Sequence, residues 1–191
     1  MRHLQHRTNF FSFVDSLDAN GGTPTHKMFK QADDYMRRGL SSNSPWASKP
    51  GEANPTYLGC RRNYHIVMTD GRWNGYDSNY SAGGNKDGVT SRTLPDNTVY
   101  SNTGPNAGQT NLYRDGTDNT LADWAFKSWS ERLQDPANLT GAVSPDAEYD
   151  KAPLTETIGG VALNKYWNPN YNPANWPHMV TYTIGFTALA Y

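Results

Sequence analysis

Apolar residues recur at helical spacing in three places along the chain. From Asn9 to Leu17, residues Phe10, Phe11, Val14 and Leu17 fall on one side of a helix that Thr8 would cap, so that side is expected to be buried. Asn20-Gly21-Gly22 breaks the pattern, and Thr23-Pro24 restarts it, with Thr23 as N-cap and the proline in the first turn, where its missing N–H is tolerated. Met28, Ala32, Tyr35 and Met36 form the apolar stripe of this second helix, and Arg37, Arg38 and Gly39 suit its end. The third helix spans about Leu121 to Gln134. Thr120 caps it, Asp123 stands in the capping-box position, and Ala122, Phe126, Trp129 and Leu133 share a face before Asp135-Pro136 stops it.

Two segments read as strands. Tyr64 to Thr69 is a mostly apolar run without clear alternation, as expected of a strand covered on both faces, and Asp70-Gly71 closes it. From Met179 to Phe186, Val180, Tyr182 and Ile184 alternate with Thr181, Thr183 and Gly185. Leu40 to Leu58 reads as a surface loop despite Trp46. Two further stretches, about 71–117 and about 137–177, are rich in Gly, Asn, Asp, Ser or Pro and keep no period; they read as loop-rich insertions, the first able to hold small hairpins. No internal repeat is present. Helices alternating with apolar strands predict an α/β sheet with helices on its faces. Two strands alone are too few to be stable, so either the loops add strands or the chain belongs to a larger sheet.

Composition and charge narrow the partners. At 191 residues the chain fits one domain, and its 36% hydrophobic content, low for a packed domain, is accounted for by polar loops that carry many of the 17 Gly and 12 Pro. Six Trp and 12 Tyr supply enough aromatic surface to anchor such loops. A net charge of −1 with both signs scattered creates no field for a phosphate backbone or an anionic bilayer, so neither nucleic acid nor membrane surface is an expected partner. No apolar run reaches the roughly 20 residues that span a bilayer, and the start shows no signal peptide. Cys60, the single cysteine, is either a buried thiol or half of a pair lost with a longer chain.

Two places offer chemistry. Ligands of open α/β sheets bind outside the carboxyl ends of strands, where Asp70 stands, and Thr23 opens a helix from a Gly-Gly loop; together they could offer oxygens to a hard cation. Each motif alone is also an ordinary cap or turn. A GGTP loop that starts a helix, followed by a buried strand ending in Thr-Asp-Gly, resembles two of the three loops of the metal-ion-dependent adhesion site in von Willebrand factor A-like domains. CRRNYHIVMTDGRWN, DNTLADWAFKSW and WPHMVTYTIGF are similar, in order, to the A-like region of type IV pilus tip adhesins of the PilC/PilY type. The resemblance implies a partial von Willebrand factor A-like (Rossmann-like) sheet with flanking helices and two long insertions, one A-like domain over 1–191 that is a fragment or a shortened relative. It implies Thr23 and Asp70 as metal residues, for magnesium (Mg) or another divalent cation. The family's Asp-x-Ser-x-Ser loop is missing: Asp15-Ser16-Leu17-Asp18-Ala19 has Leu and Ala where serines are needed, so binding by this chain alone would be weak or absent. The resemblance further implies a non-catalytic adhesion or pilus-assembly role at the cell surface or pilus tip, reached via the periplasm. Pilus subunits, or a host or abiotic surface, would be the partners.

The remaining candidates carry less. Asp115, Thr117, Asn119 and Asp123 have the oxygen spacing of a partial calcium loop but lack its central Gly and terminal Glu, and helix capping explains them better. His26 is expected on an exposed helix face, and His65 and His178 beside strands; none forms a supported metal pair. Trp73, Tyr76 and Tyr80 after the Asp70 turn, and Tyr166, Trp167, Tyr171 and Trp176 before the last strand, could form flat surfaces for sugar rings or protein, or could fill the core beneath long loops. These aromatics motivate an alternative, a free-standing carbohydrate-binding module. A metal-dependent hydrolase centred on Asp70 ranks below it, because no base or nucleophile stands with that residue.

Overall fold

The computed structural model describes residues 2–17, 23–69, 76–104 and 107–185. The elements run α1 (Arg2–Asp15), α2 (Thr25–Met36), β1 (Asn63–Thr69), β2 (Ser91–Thr93), β3 (Val99–Ser101), α3 (Leu121–Ser130), α4 (Ala147–Lys151), β4 (Thr155–Ile158), β5 (Val161–Asn164) and β6 (Met179–Gly185), with short 3-10 turns between them. Helix and strand are mixed, and every sheet among the described residues has two strands.

β1 and β6 pair in parallel, with Asn63 opposite Met179 and Thr69 opposite Gly185. α2 and α3 cover one face of the pair, where Phe29, Val67 and Trp124 pack together and the Phe29 ring meets the His65 ring edge-on at 4.7 Å. The other face is bare. Ile66 is 62% and Met68 60% exposed, and Tyr64, Tyr182 and Ile184 are exposed beside them. The expectation that β1 is covered on both faces is therefore overturned: the helices reach one face only, so the apolar residues on the other have nothing to pack on. The same geometry turns the apolar half of β6 away from the helices.

α1 starts at Arg2, which places Thr8 inside the helix and not at its cap. Its apolar side is exposed, not buried, at Phe10, Phe11, Phe13, Val14 and Leu17. α2 begins at Thr25, with Pro24 in the cap position and no side-chain cap bond, so Thr23 lies one residue further out than expected. The buried face of α2 is Thr25, His26, Phe29, Asp33 and Met36, while Met28 and Tyr35 of the expected stripe are exposed. A polar residue explains the rotation. The Asp33 carboxylate accepts from the Ser128 hydroxyl at 2.8 Å and from Arg37 Nε at 2.7 Å, which satisfies it while buried and ties α2 to α3.

α3 keeps the expected capping box: Thr120 Oγ1 accepts from the Asp123 amide at 3.2 Å, and Asp123 Oδ2 accepts from the Thr120 amide at 2.7 Å. The helix ends at Ser130, short of Gln134, because the next backbone turns extended and Leu133 donates to the Pro177 carbonyl at 2.9 Å. Leu133 still packs, with Met36, Trp46 and Met179. Trp46 is fully buried with its indole N–H on the Met36 carbonyl at 2.8 Å, so the loop Leu40 to Leu58 is pinned to the core at Ser44, Trp46 and Ala47, while residues 49–54 are exposed as expected. Gly59 is required there: a Cβ would lie 2.5 Å from the Gly141 carbonyl.

The two insertions build core. β2 and β3 form an antiparallel hairpin in the first. β4 and β5 form another in the second, turning at Gly159 and Gly160, both at positive φ as a two-residue hairpin turn demands. Leu94 and Tyr100 from the first insertion join Trp167, Ala174 and Trp176 from the second around Phe126 of α3. The loops thus supply the hydrophobic cluster that the two long strands lack.

Candidate functional site

A cleft of about 500 Å³ opens between α3, β6 and the segment 166–173. Ala122, Ala125 and Trp129 line it from α3, Tyr166 and Tyr171 from the loop, and Tyr182 from β6. The loop wall is held by a chain of hydrogen bonds. Trp129 Nε1 donates to Asn172 Oδ1 at 3.1 Å, Asn172 Nδ2 meets His178 Nε2 at 2.7 Å, and His178 Nδ1 lies 2.6 Å from the Trp176 carbonyl. Burial holds the His178 pKa below its usual value, so the ring is neutral, with Nδ1 as donor and Nε2 as acceptor. Deeper in, the Tyr113 hydroxyl donates to the Trp167 carbonyl at 2.8 Å, and burial pushes that phenol up to about 12. Tyr166 donates to Asp96 at 2.7 Å and is likewise pushed up by burial. These phenols stay protonated at any physiological pH and serve as donors that fix the wall.

What lines the cleft limits what it can do. Its one carboxylate, Asp146, is paired with Arg62 at 2.6 Å, and the lining includes no Ser, Cys, His or Lys. Such a surface binds by apolar contact, a few amide groups and hydroxyls such as that of Thr181. Tyr64, Val180 and Tyr182 carry the lining onto the bare sheet face, where the Tyr64 and Tyr182 rings stand 6.0 Å apart, so cleft and face make one apolar surface.

The residues singled out in the sequence are scattered across this picture. Trp167 and Trp176 are buried, with Trp176 Nε1 donating to the Trp129 carbonyl at 2.7 Å; they are core that backs the cleft and not an open platform. Tyr76 is exposed and meets His26 edge-on at 5.1 Å. His26 is buried, not exposed, with Nε2 donating to the Asn119 carbonyl at 2.9 Å. Thr23 is exposed just before α2. Asp70 and Trp73 lie outside the described residues. Cys60 is an exposed free thiol, which removes the buried-thiol alternative. Asp115, Asn119 and Asp123 spend their oxygens on backbone amides and the helix cap, and among the described residues no three His, Cys, Asp or Glu side chains are grouped to hold a metal. No described helix is long and apolar enough to cross a membrane. Sequence reading missed Tyr64, Trp129 and Tyr182 as surface. The alternation of Tyr182 was visible, but which side of the strand would meet solvent was not.

Comparison with known proteins supplies the context. No family model and no solved structure matches the chain. The chain is similar to the type IV pilus biogenesis factor PilY1 of Pseudomonas aeruginosa, 40% identical in strain PAO1 and 39% in strain PAK, each over 183 residues and 95% of this chain. The protein of strain UCBPP-PA14 is 34% identical over 181 residues. The chain spans only 13 to 14% of the length of these relatives.

Proposed function

We propose that the chain is a binding and assembly module of a type IV pilus biogenesis protein, acting at the cell surface or pilus tip without catalysis. The observation that carries this reading is the similarity to pilus biogenesis factors along 95% of the chain, at an identity no chance match reaches. The geometry agrees with it, because the cleft beside α3 and β6 is lined chiefly by aromatic and amide side chains. A pilus subunit, or a host or abiotic surface, is the partner this reading favours. An A-like scaffold with a divalent cation at Thr23 and Asp70 belongs to the same proposal. Asp70 lies outside the described residues, and among those described no three His, Cys, Asp or Glu side chains are grouped to hold a metal. The carbohydrate-binding reading has less support, since Trp167 and Trp176 are core.

The test is an immunoblot of pili sheared from cells, paired with a count of surface pili in cells whose gene lacks this segment. The protein is expected in the sheared fraction, and deletion is expected to reduce piliation or surface attachment. Its absence from the fraction, with piliation and attachment unchanged on deletion, would overturn the proposal.

A further inference from the structure

Asn172 is held in one orientation by its own acceptor. Its Oδ1 takes hydrogen bonds from Trp129 Nε1 at 3.1 Å and from the Ala174 amide at 3.2 Å, so Nδ2 is the group that faces His178. An amide nitrogen only donates. His178 Nε2, 2.7 Å away, must therefore stay a bare acceptor, and the ring's one proton sits on Nδ1, 2.6 Å from the Trp176 carbonyl. The Asn172 backbone is tied as well, since its carbonyl accepts from the Asp146 amide at 3.2 Å. Asn172 thus fastens the far end of the loop wall to α3 and to the start of α4. The near end is held by Asn168, whose Oδ1 accepts from the Asn170 amide at 3.0 Å and whose Nδ2 donates to Glu156.

This arrangement has no place for a second proton on His178. A proton on Nε2 would meet Asn172 Nδ2 as donor against donor. The amide can turn over to offer Oδ1 to the ring only by withdrawing it from Trp129 and Ala174, whose N–H groups then lose their acceptor. The charged groups around His178 give no relief. Arg62, from the segment before β1, repels the added charge, and the Asp146 carboxylate at the start of α4 is spent on Arg62 at 2.6 Å. From β1, Asn63 Nδ2 donates to the His178 carbonyl, and α3 contributes the uncharged Trp129. We propose that His178 and Asn172 form a proton-operated latch on the cleft: with the imidazole neutral the loop wall is fastened to α3, and protonation draws Asn172 off Trp129 and frees the wall. Burial, aided by Arg62 and opposed by the Trp176 carbonyl, holds the His178 pKa below the ordinary 6.5. Folding therefore favours the neutral ring, so what the latch adds to stability is whole above pH 6.5 and is lost as pH falls through the lower folded value. The latch is independent of the pilus role.

Nuclear magnetic resonance of the full 191-residue chain reads both ends of the latch. The His178 ring and the Trp129 indole N–H would be followed as pH is lowered from neutrality. The exchange protection of the Trp129 N–H is expected to fall at least about tenfold, with a midpoint that coincides with the titration of the His178 ring. Asn172→Asp supplies the converse. One carboxylate oxygen still accepts from Trp129 while the other accepts from protonated Nε2, so the His178 midpoint should rise by at least about one pH unit and Trp129 should stay protected in acid. His178→Gln, which removes the titrating group, should leave Trp129 protection independent of pH over the same range. A Trp129 N–H that stays protected through the His178 titration, or an acid transition that survives in either variant, would overturn the proposal. A loss of protection that follows a carboxylate and not the His178 ring would assign the release to Glu156 at the near end of the loop and overturn it too.

Discussion

Asp87 is the buried group whose replacement should change stability most informatively. It is 1% exposed, its Oδ1 accepts from the Asp115 amide at 3.4 Å, and its Oδ2 has no partner. Burial pushes its carboxyl from 3.8 up to about 6; the Asp115 amide opposes the rise, and the charges of Asp115 and Asp123 add to it. Because the folded pKa is raised, the protonated form is the one folding favours. The contribution of Asp87 to stability is present below pH 4 and is lost as pH climbs to 6. A rise of about two pH units corresponds to about 3 kcal/mol at neutral pH. Asp87→Asn keeps the shape without the charge, but its amide nitrogen needs a partner the site does not supply, so the net gain should be about 1 to 2 kcal/mol at pH 7.5. At pH 4 the cost of ionisation has gone while the cost of the unpaired amide nitrogen remains, so the Asn variant should there be the less stable by up to about 1 kcal/mol. Urea denaturation of both proteins at the two pH values measures this, with equal slopes confirming that only the folded state has changed. An Asn variant less stable than the parent at pH 7.5, or a gap that does not depend on pH, would refute the reasoning.

Asp33→Ala should destabilise by about 3 kcal/mol, since it strands the buried Ser128 hydroxyl and removes a partner of Arg37. The double variant with Ser128→Ala should lose at least about 1 kcal/mol less than the sum of the two single changes, and strict additivity in a urea double-mutant cycle would count against the link between α2 and α3. Thr120→Ala removes the hydroxyl of the capping box and should cost about 1 to 2 kcal/mol, read as a fall in Tm of roughly 2 to 8 °C. A fall of the same size on exposed Thr103→Ala would show that the box is not the cause.

How much of this was legible in the sequence differs element by element. The capping box of α3 rests on residues three apart in sequence, and it formed as expected at Thr120 and Asp123. The strands 64–69 and 179–186 were found within a residue at each end, because apolar runs between turn residues are a local signal. The hairpin at Gly159-Gly160 had a local signature too, and went unread among the other loop residues.

Facing and partnership were not local. The stripe of α2 turned to Asp33 because Ser128, far along the chain, supplies the hydrogen bond that lets a carboxylate be buried. Trp167 and Trp176 became core because Leu94 and Tyr100 from the other insertion reach them, and no window of sequence holds both halves of that cluster. The exposed face of Ile66, Met68 and Ile184 was equally hidden, since an apolar strand residue reads the same whether its cover is present or not. The sequence by itself determined where backbone hydrogen bonds are capped and where strands begin and end, because those depend on neighbours a few residues away. Only the tertiary structure decided which faces are buried, and that the cleft and the bare sheet face meet in one surface, because burial depends on groups that the fold brings together from distant parts of the chain.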